Sequence, residues 1–134
     1  RNIVVSTQLR ADIPAIRADR VQIQQVLLNL IINANDAMSD NAASERLLDI
    51  TTRVLNEDHV EIAVCDRGHG VDDHDPEKIF QAFFTSKVHG LGLGLAICRS
   101  IVSAHQGQLQ VRNNKYGGAT FYLTLPIAHS EIMS

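Results

Sequence analysis

The sequence predicts an α+β fold, a two-layer sandwich in which helices cover one face of a mixed sheet. Three observations carry that prediction. Residues 21–38 and 95–105 repeat apolar side chains at helical spacing. Residues 47–55 with 60–65, and 108–112 with 119–125, read as two hairpins, each pair joined by turn chemistry. The order lacks the strand-helix-strand rhythm of a doubly wound sheet, so the helices belong on one face of a mixed sheet.

The elements follow in order. Residues 3–9 are β-rich and open the chain as a strand, and 13–18 return toward the next element. Asp19 is a good N-cap for the long helix 21–38, which Asp40-Asn41 breaks. Asn56-Glu57-Asp58 turns the first hairpin. Residues 66–75 are a loop rich in Gly, Asp and His, and 77–84 form a short amphipathic piece. Residues 90–94 alternate glycine with leucine, and the helix that follows ends at Gly107. The last two strands are joined by a turn over 113–118.

A chain of 134 residues fits one domain spanning 1–134, and 45% apolar content supplies a core without metal or disulfide. A formal net charge of −3 excludes a broad electrostatic grip on nucleic acid. No apolar run approaches the roughly 20 residues that cross a bilayer. Two cysteines, Cys65 and Cys98, make no disulfide framework, which points to a reducing compartment and a cytoplasmic domain. The start at Arg1, without Met or signal peptide, suggests an excised piece of something longer.

The first helix carries an unexpected stripe. Ile23, Val26, Leu27, Leu30, Ile31, Ala34, Ala37 and Met38 form a wide apolar arc, which Leu28 and Ile32 extend around the far side. Gln22, Gln25, Asn29, Asn33 and Asp36 recur at spacings of three and four and line one narrow strip. Two readings stay open. The strip is either the solvent face, or Asn29 and Asn33, one turn apart, present amides to a ligand or metal. Lys, Glu and Arg would be the commoner choice for solvent.

Two glycine turns add to this. Cys65-Asp66-Arg67-Gly68-His69-Gly70-Val71 leaves an apolar strand and sets a carboxylate directly before alternating glycines. Glycine allows positive φ and close backbone approach, and a carboxylate accepts from an exocyclic amine such as that of adenine. An ordinary Asp-Gly turn explains the same residues. Gly90-Leu91-Gly92-Leu93-Gly94-Leu95 runs into a helix, where exposed N–H groups and the dipole suit phosphate. The spacing is neither the dinucleotide fingerprint nor a Walker loop. Lys87, just upstream, is either a phosphate partner or a solvated surface cation.

In this order the residues resemble the ATP-binding catalytic domain of sensor histidine kinases, within the superfamily of gyrase, the heat-shock chaperone and the mismatch-repair ATPases. Residues 25–34 match the N box, 66–70 the first glycine box, 79–87 the F box, 90–95 the second glycine box and 117–121 the closing strand. The match runs from about Ile3 to Pro126, and the short lid and the Asn-Asp-Ala-Met ending of the N box look most like the nitrogen-regulation and oxygen-sensing kinases. Gln81 departs from a commonly acidic position, and Arg67 and His69 fill variable ones. None of His59, His69, His74, His89, His105 or His129 resembles the phosphoacceptor, and His105 reads as a helix-dipole partner.

The resemblance implies a Bergerat-type ATP-binding fold and the cofactors ATP and Mg²⁺. It implies that Asp66 accepts from the adenine amine with Thr120 and a water beside it, that Gly68 and Gly70 shape this turn, and that Asn33 is the metal ligand. Asn29 and Lys87 are the implied catalytic groups at the phosphate end, with Gly90, Leu91, Gly92, Leu93 and Gly94 folding over the triphosphate. Phenylalanines Phe80, Phe83 and Phe84 are expected to be core or docking anchors. The γ-phosphoryl group would go to a histidine on a separate dimerisation domain, its helix pair lying before Arg1, and a response regulator would follow. Two rivals remain. Hydrolysing members of the superfamily carry a glutamate where this chain has Asn29, which cannot act as a base; a degenerate docking surface would not need Asn33, Asp66 and the glycines intact.

Overall fold

The computed structural model describes residues 4–8, 18–42, 46–81, 94–115 and 117–128. Its elements are strand β1 (Val4–Gln8), helix α1 (Arg20–Ala37), strands β2 (Leu47–Val54) and β3 (His59–Cys65), a 3-10 turn (Pro76–Phe80), helix α2 (Gly94–Ala104), and strands β4 (Gln108–Asn113) and β5 (Ala119–Pro126). The strands form one sheet in the order β1-β2-β3-β5-β4. β1 pairs parallel with β2, from Val4 opposite Leu47 to Gln8 opposite Thr51, and the other pairings are antiparallel. The sheet is therefore mixed, and the two hairpins lie where the turn residues placed them.

α1 starts where its cap dictates. The Asp19 carboxylate accepts from the Gln22 N–H at 3.1 Å, satisfying one orphan donor of the first turn. Ile23, Val26, Leu30, Ala34 and Met38 are buried, a stripe at helical spacing that meets Leu95, Cys98 and Val102 of α2. Beneath the helices, the pleat of the sheet turns Leu48, Val60, Val64, Leu109, Val111, Phe121, Leu123 and Leu125 inward. Gln108, Gln110 and Arg112 alternate with the inward residues of β4 and are exposed.

The far side of α1 departs from the expected apolar arc. Leu28 is 52% exposed and Val21 69% exposed, because α1 packs against the core through one face only.

α2 closes through Gln106, which takes φ 63, while the Gly107 N–H donates to the Val102 carbonyl at 2.9 Å. His105 ties the two helices together. One ring nitrogen, Nδ1, donates to the Ile101 carbonyl at 2.8 Å, and Nε2 accepts from the Asp19 N–H at 3.1 Å. This arrangement uses the neutral Nδ1–H tautomer.

The β4–β5 turn is where glycine is indispensable. Gly118 has φ +83, and a Cβ there would lie 2.1 Å from the Asp66 carbonyl oxygen. Gly117 has φ +108 but open space around its missing Cβ. Gly117→Ala should therefore cost about 1–2 kcal/mol of backbone strain alone, whereas Gly118→Ala should cost at least about 3 kcal/mol because overlap with the Asp66–Arg67 backbone adds to the strain. Urea midpoints of the two variants check this; equal losses would contradict the close approach.

Candidate functional site

The first glycine box leaves β3 at Cys65 and crosses the C-terminal end of α1. Asp66 is 2% exposed. Its Oδ1 accepts from the Gly68 N–H at 2.8 Å and the Ala119 N–H at 3.2 Å, and its own N–H donates to the Ala119 carbonyl at 2.9 Å. Two backbone donors on one oxygen fix the orientation of a buried carboxylate, which would otherwise be costly. A pocket opens here, lined by Asn33 and Ala37 of α1, Asp66, Gly70 and Val71 of the loop, and Phe121 of β5.

The glycines of this box have different tasks. Gly68 touches the helix: a Cβ there would lie 2.5 Å from the Ala37 carbonyl oxygen and 2.7 Å from the Ala37 Cβ. Its smallness lets the loop lie against α1, so that Asn33 and Asp66 share one pocket. Gly70 has φ +78, the conformation expected of a glycine turn. Arg67 anchors the same stretch, its N–H directed at the Met38 sulfur at 3.4 Å and its carbonyl accepting from Asn41 Nδ2 at 2.8 Å.

The polar stripe of α1 divides along its length. Gln22 and Gln25 are exposed, as on a solvent face. Asn29, Asn33 and Asp36 are half-buried, and Asn33 lines the pocket. Asn29 does not line it. Its side chain hydrogen-bonds the Cys98 thiol of α2, offsetting part of the upward push that burial gives that thiol. The first half of the stripe thus faces solvent, and of the two asparagines only Asn33 reaches the pocket.

Thr120 lies beside this pocket without lining it. Ala119 and Phe121 line the pocket, and Thr120 between them does not. Alternation along β5 turns it to the other face, where its hydroxyl donates to Asn114 Oδ1 at 2.5 Å. That bond ties the hydroxyl's proton to the β4–β5 turn. The residue that the expectation missed is Ala119, which contacts Asp66 through its backbone, and backbone roles leave no residue-type signal.

The F-box turn is built around Phe80, which is buried and meets Phe121 edge-to-face at 6.2 Å. Arg99 of α2 lies over the Phe80 ring at 3.9 Å, donates to the Leu109 carbonyl at 3.1 Å and pairs with Glu77 at 2.5 Å. Phe80 is thus a core anchor beneath the pocket floor. Gly94 begins α2 with φ +58. Phe83, Phe84, Lys87, Gly90, Leu91, Gly92 and Leu93 lie outside the described residues.

Among the described residues no group of three or more His, Cys, Asp or Glu side chains could hold a metal, and no helix is long and apolar enough to cross a membrane. The pocket instead combines one carboxylate, one half-buried amide and a glycine-built wall. That donor set suits a flat polar ring at Asp66 and, at Asn33, a hard cation that takes few protein ligands and completes its shell with phosphate oxygens and water.

Comparison with known proteins adds to this geometry. Residues 18–129 match the family model of histidine kinase-, DNA gyrase B- and HSP90-like ATPases. The sensor protein FixL of Bradyrhizobium diazoefficiens is 43% identical over 128 residues, which cover 96% of this chain and 25% of FixL. The nucleotide-free catalytic domain of histidine kinase ThkA superposes with a TM-score of 0.78 at 34% identity, covering 94% of this chain and 81% of that one. ThkA in complex with the response regulator protein TrrA matches with a TM-score of 0.76 at 31% identity, over 95% of this chain and 35% of that one. Full-length ShkA in complex with AMPPNP gives a TM-score of 0.76 at 28% identity, over 96% of this chain and 27% of that one. The chain thus spans about a quarter of the length of FixL and of ShkA.

Proposed function

The chain belongs to the family of histidine kinase-, DNA gyrase B- and HSP90-like ATPases, and on that premise we propose that it is the ATP-binding catalytic domain of a two-component sensor histidine kinase. It transfers the γ-phosphoryl group of ATP to a histidine on a separate dimerisation domain, from which a response regulator is then phosphorylated. The observation that carries this reading is the buried Asp66 carboxylate, fixed by two backbone N–H groups in a pocket it shares with Asn33.

Asp66 accepts from the exocyclic amine of adenine, and Ala37, Val71 and Phe121, which line the same pocket, are the apolar groups proposed to meet the ring. Asn33 is the described side chain that would hold Mg²⁺. That ion, bound with the triphosphate, supplies positive charge against the phosphate oxygens. Asn29, already tied to Cys98, braces α1 against α2 at the phosphate end. Lys87 and the stretch from Gly90 to Gly94 are proposed to close over the phosphates. Phosphoryl transfer asks mainly for positioning and charge stabilisation, and the residues here supply positioning.

The carboxamide of Asn29 cannot take a proton from water at neutral pH, which favours transfer over the hydrolysis of gyrase-type relatives. The 134-residue chain should bind ATP and ADP by calorimetry, more tightly for ATP when Mg²⁺ is added, and should not label itself from radioactive ATP. Acid-labile phosphate accumulating on this chain alone, or no nucleotide binding, would overturn the reading.

A further inference from the structure

We propose that Asn113, the last residue of β4, is a positioning residue for nucleotide binding, because its side-chain amide holds the Gly70–Val71 wall of the pocket in place. The inference rests on the nucleotide-binding reading above and adds a residue to it.

The Asn113 side chain pairs with Val71 as a neighbouring strand would. Its Oδ1 accepts from the Val71 N–H at 2.8 Å, and its Nδ2 donates to the Val71 carbonyl at 2.8 Å. Nδ2 also donates to the Asp73 carboxylate. The orientation of the amide is settled by chemistry, since only the oxygen can accept from an N–H and only the nitrogen can donate to a carbonyl. Gly70 rests directly on this amide: a Cβ there would lie 2.5 Å from Asn113 Oδ1.

The rest of the loop looks inward on itself. His69 Nδ1 bonds the Gly70 carbonyl at 2.8 Å, the His74 N–H donates to Asp72 at 2.9 Å, and the Asp75 N–H donates to the Asp72 carbonyl at 3.2 Å. From outside the loop, the Asn113 amide reaches Val71 and Asp73 from β4, and the Lys78 N–H reaches the Asp75 carbonyl at 3.1 Å from the 3-10 turn. Gly70 and Val71 line the pocket with Asp66, and residues 72–75 are exposed. Val71 rests on the edge of the core and its backbone is held by the Asn113 amide, while residues 72–75 face solvent; without that amide the wall can loosen while the sheet stays folded, so the loss appears in ligand affinity before it appears in stability.

The test is ADP titration by calorimetry on the parent chain and on Asn113→Ala, with amide exchange on both. The expected result is affinity about tenfold weaker, the worth of two lost neutral hydrogen bonds, with faster exchange at Val71 and unchanged protection in β3 and β5. A folded Asn113→Ala with the parent's affinity would overturn the inference and leave the nucleotide-binding reading intact. A parent that binds no ADP would remove both.

If Asn113→Ala does not fold, Asn113→Asp serves. It keeps the acceptor for Val71 but sets a carboxylate against Asp73 and the Val71 carbonyl. Adding Asp73→Asn restores a donor between the two side chains, and ADP affinity should recover by about threefold or more over the single variant, the coupling expected of residues in contact. No recovery would overturn the inference.

Discussion

Asp66→Asn lowers adenine-nucleotide affinity by about 1.5–3 kcal/mol, the range for a hydrogen bond to a charged group, while leaving the domain folded. The geometry explains why both halves of that result are expected. Oδ1 of Asp66 accepts from the N–H groups of Gly68 and Ala119, and an asparagine oxygen can accept both. The amide nitrogen of the variant then occupies the other position, a donor where the adenine amine also donates. Asp66→Ala, by contrast, would leave those two N–H groups without their acceptor in a buried place, at a further cost of about 1–3 kcal/mol each in stability. The asparagine variant therefore separates binding from folding. The same chemistry predicts poor binding of GTP by the parent chain, because the keto group of guanine offers Asp66 no donor. Calorimetric titration of ATP and GTP on both proteins checks this; equal affinity for the two nucleotides would take Asp66 out of its proposed role.

The parts of this molecule that were legible in the sequence are those set by local rules. Asp19 caps α1 where a carboxylate before an apolar-periodic run must. The hairpins follow from Asn56-Glu57-Asp58 and from the paired glycines at 117 and 118, whose positive φ no other residue adopts cheaply. The loop that begins at Asp66 was legible because alternating glycines after an apolar strand end the strand, although an ordinary Asp-Gly turn accounts for that pattern equally well.

What was not legible depends on partners distant in the chain. Asn113 meets Val71 across 42 residues, and Asn114 meets the Asp66 carbonyl across 48. Nothing near either asparagine announces such a contact, so the turn 113–118 reads as a turn and no more. Gly68 likewise reads as a ligand-approach glycine, whereas the backbone it approaches is that of Ala37. Thr120 is a different case. Phe121, Leu123 and Leu125 are apolar at period two, and that alternation already places Thr120 on the opposite face. The resemblance supplied a role for a threonine near the end of the chain, and the pleat sets its side chain on the Asn114 side of β5. Leu28 shows the limit of composition on a helix: an apolar residue on a wide arc is counted as core until the neighbours that would cover it are known.

Asn33→Ala should abolish the Mg²⁺-dependent part of ATP binding and lower phosphoryl transfer by about 100-fold or more, the scale on which a lost charge-stabilising contact acts. Folding should be spared. Asn33 is half-buried in the middle of α1 beside the fully buried Ala34, and alanine is the better helix former at such a position by roughly half a kcal/mol. Adenine recognition should also be spared, because Asp66 is oriented by Gly68 and Ala119 and not by Asn33. The variant should therefore bind ADP without metal as the parent does, and differ only when Mg²⁺ is added. A purely structural amide would behave in the opposite way, lowering the melting temperature and leaving metal dependence unchanged. The decisive comparison joins parent and variant to a dimerisation domain carrying an acceptor histidine and follows phosphohistidine formation over time. Near-parent labelling by a well-folded Asn33→Ala fusion would place the metal elsewhere and withdraw the role proposed for this residue. If labelling is lost while metal-free ADP affinity holds, the two ends of the pocket act separately: Asp66 holds the base, and Asn33 serves the phosphates.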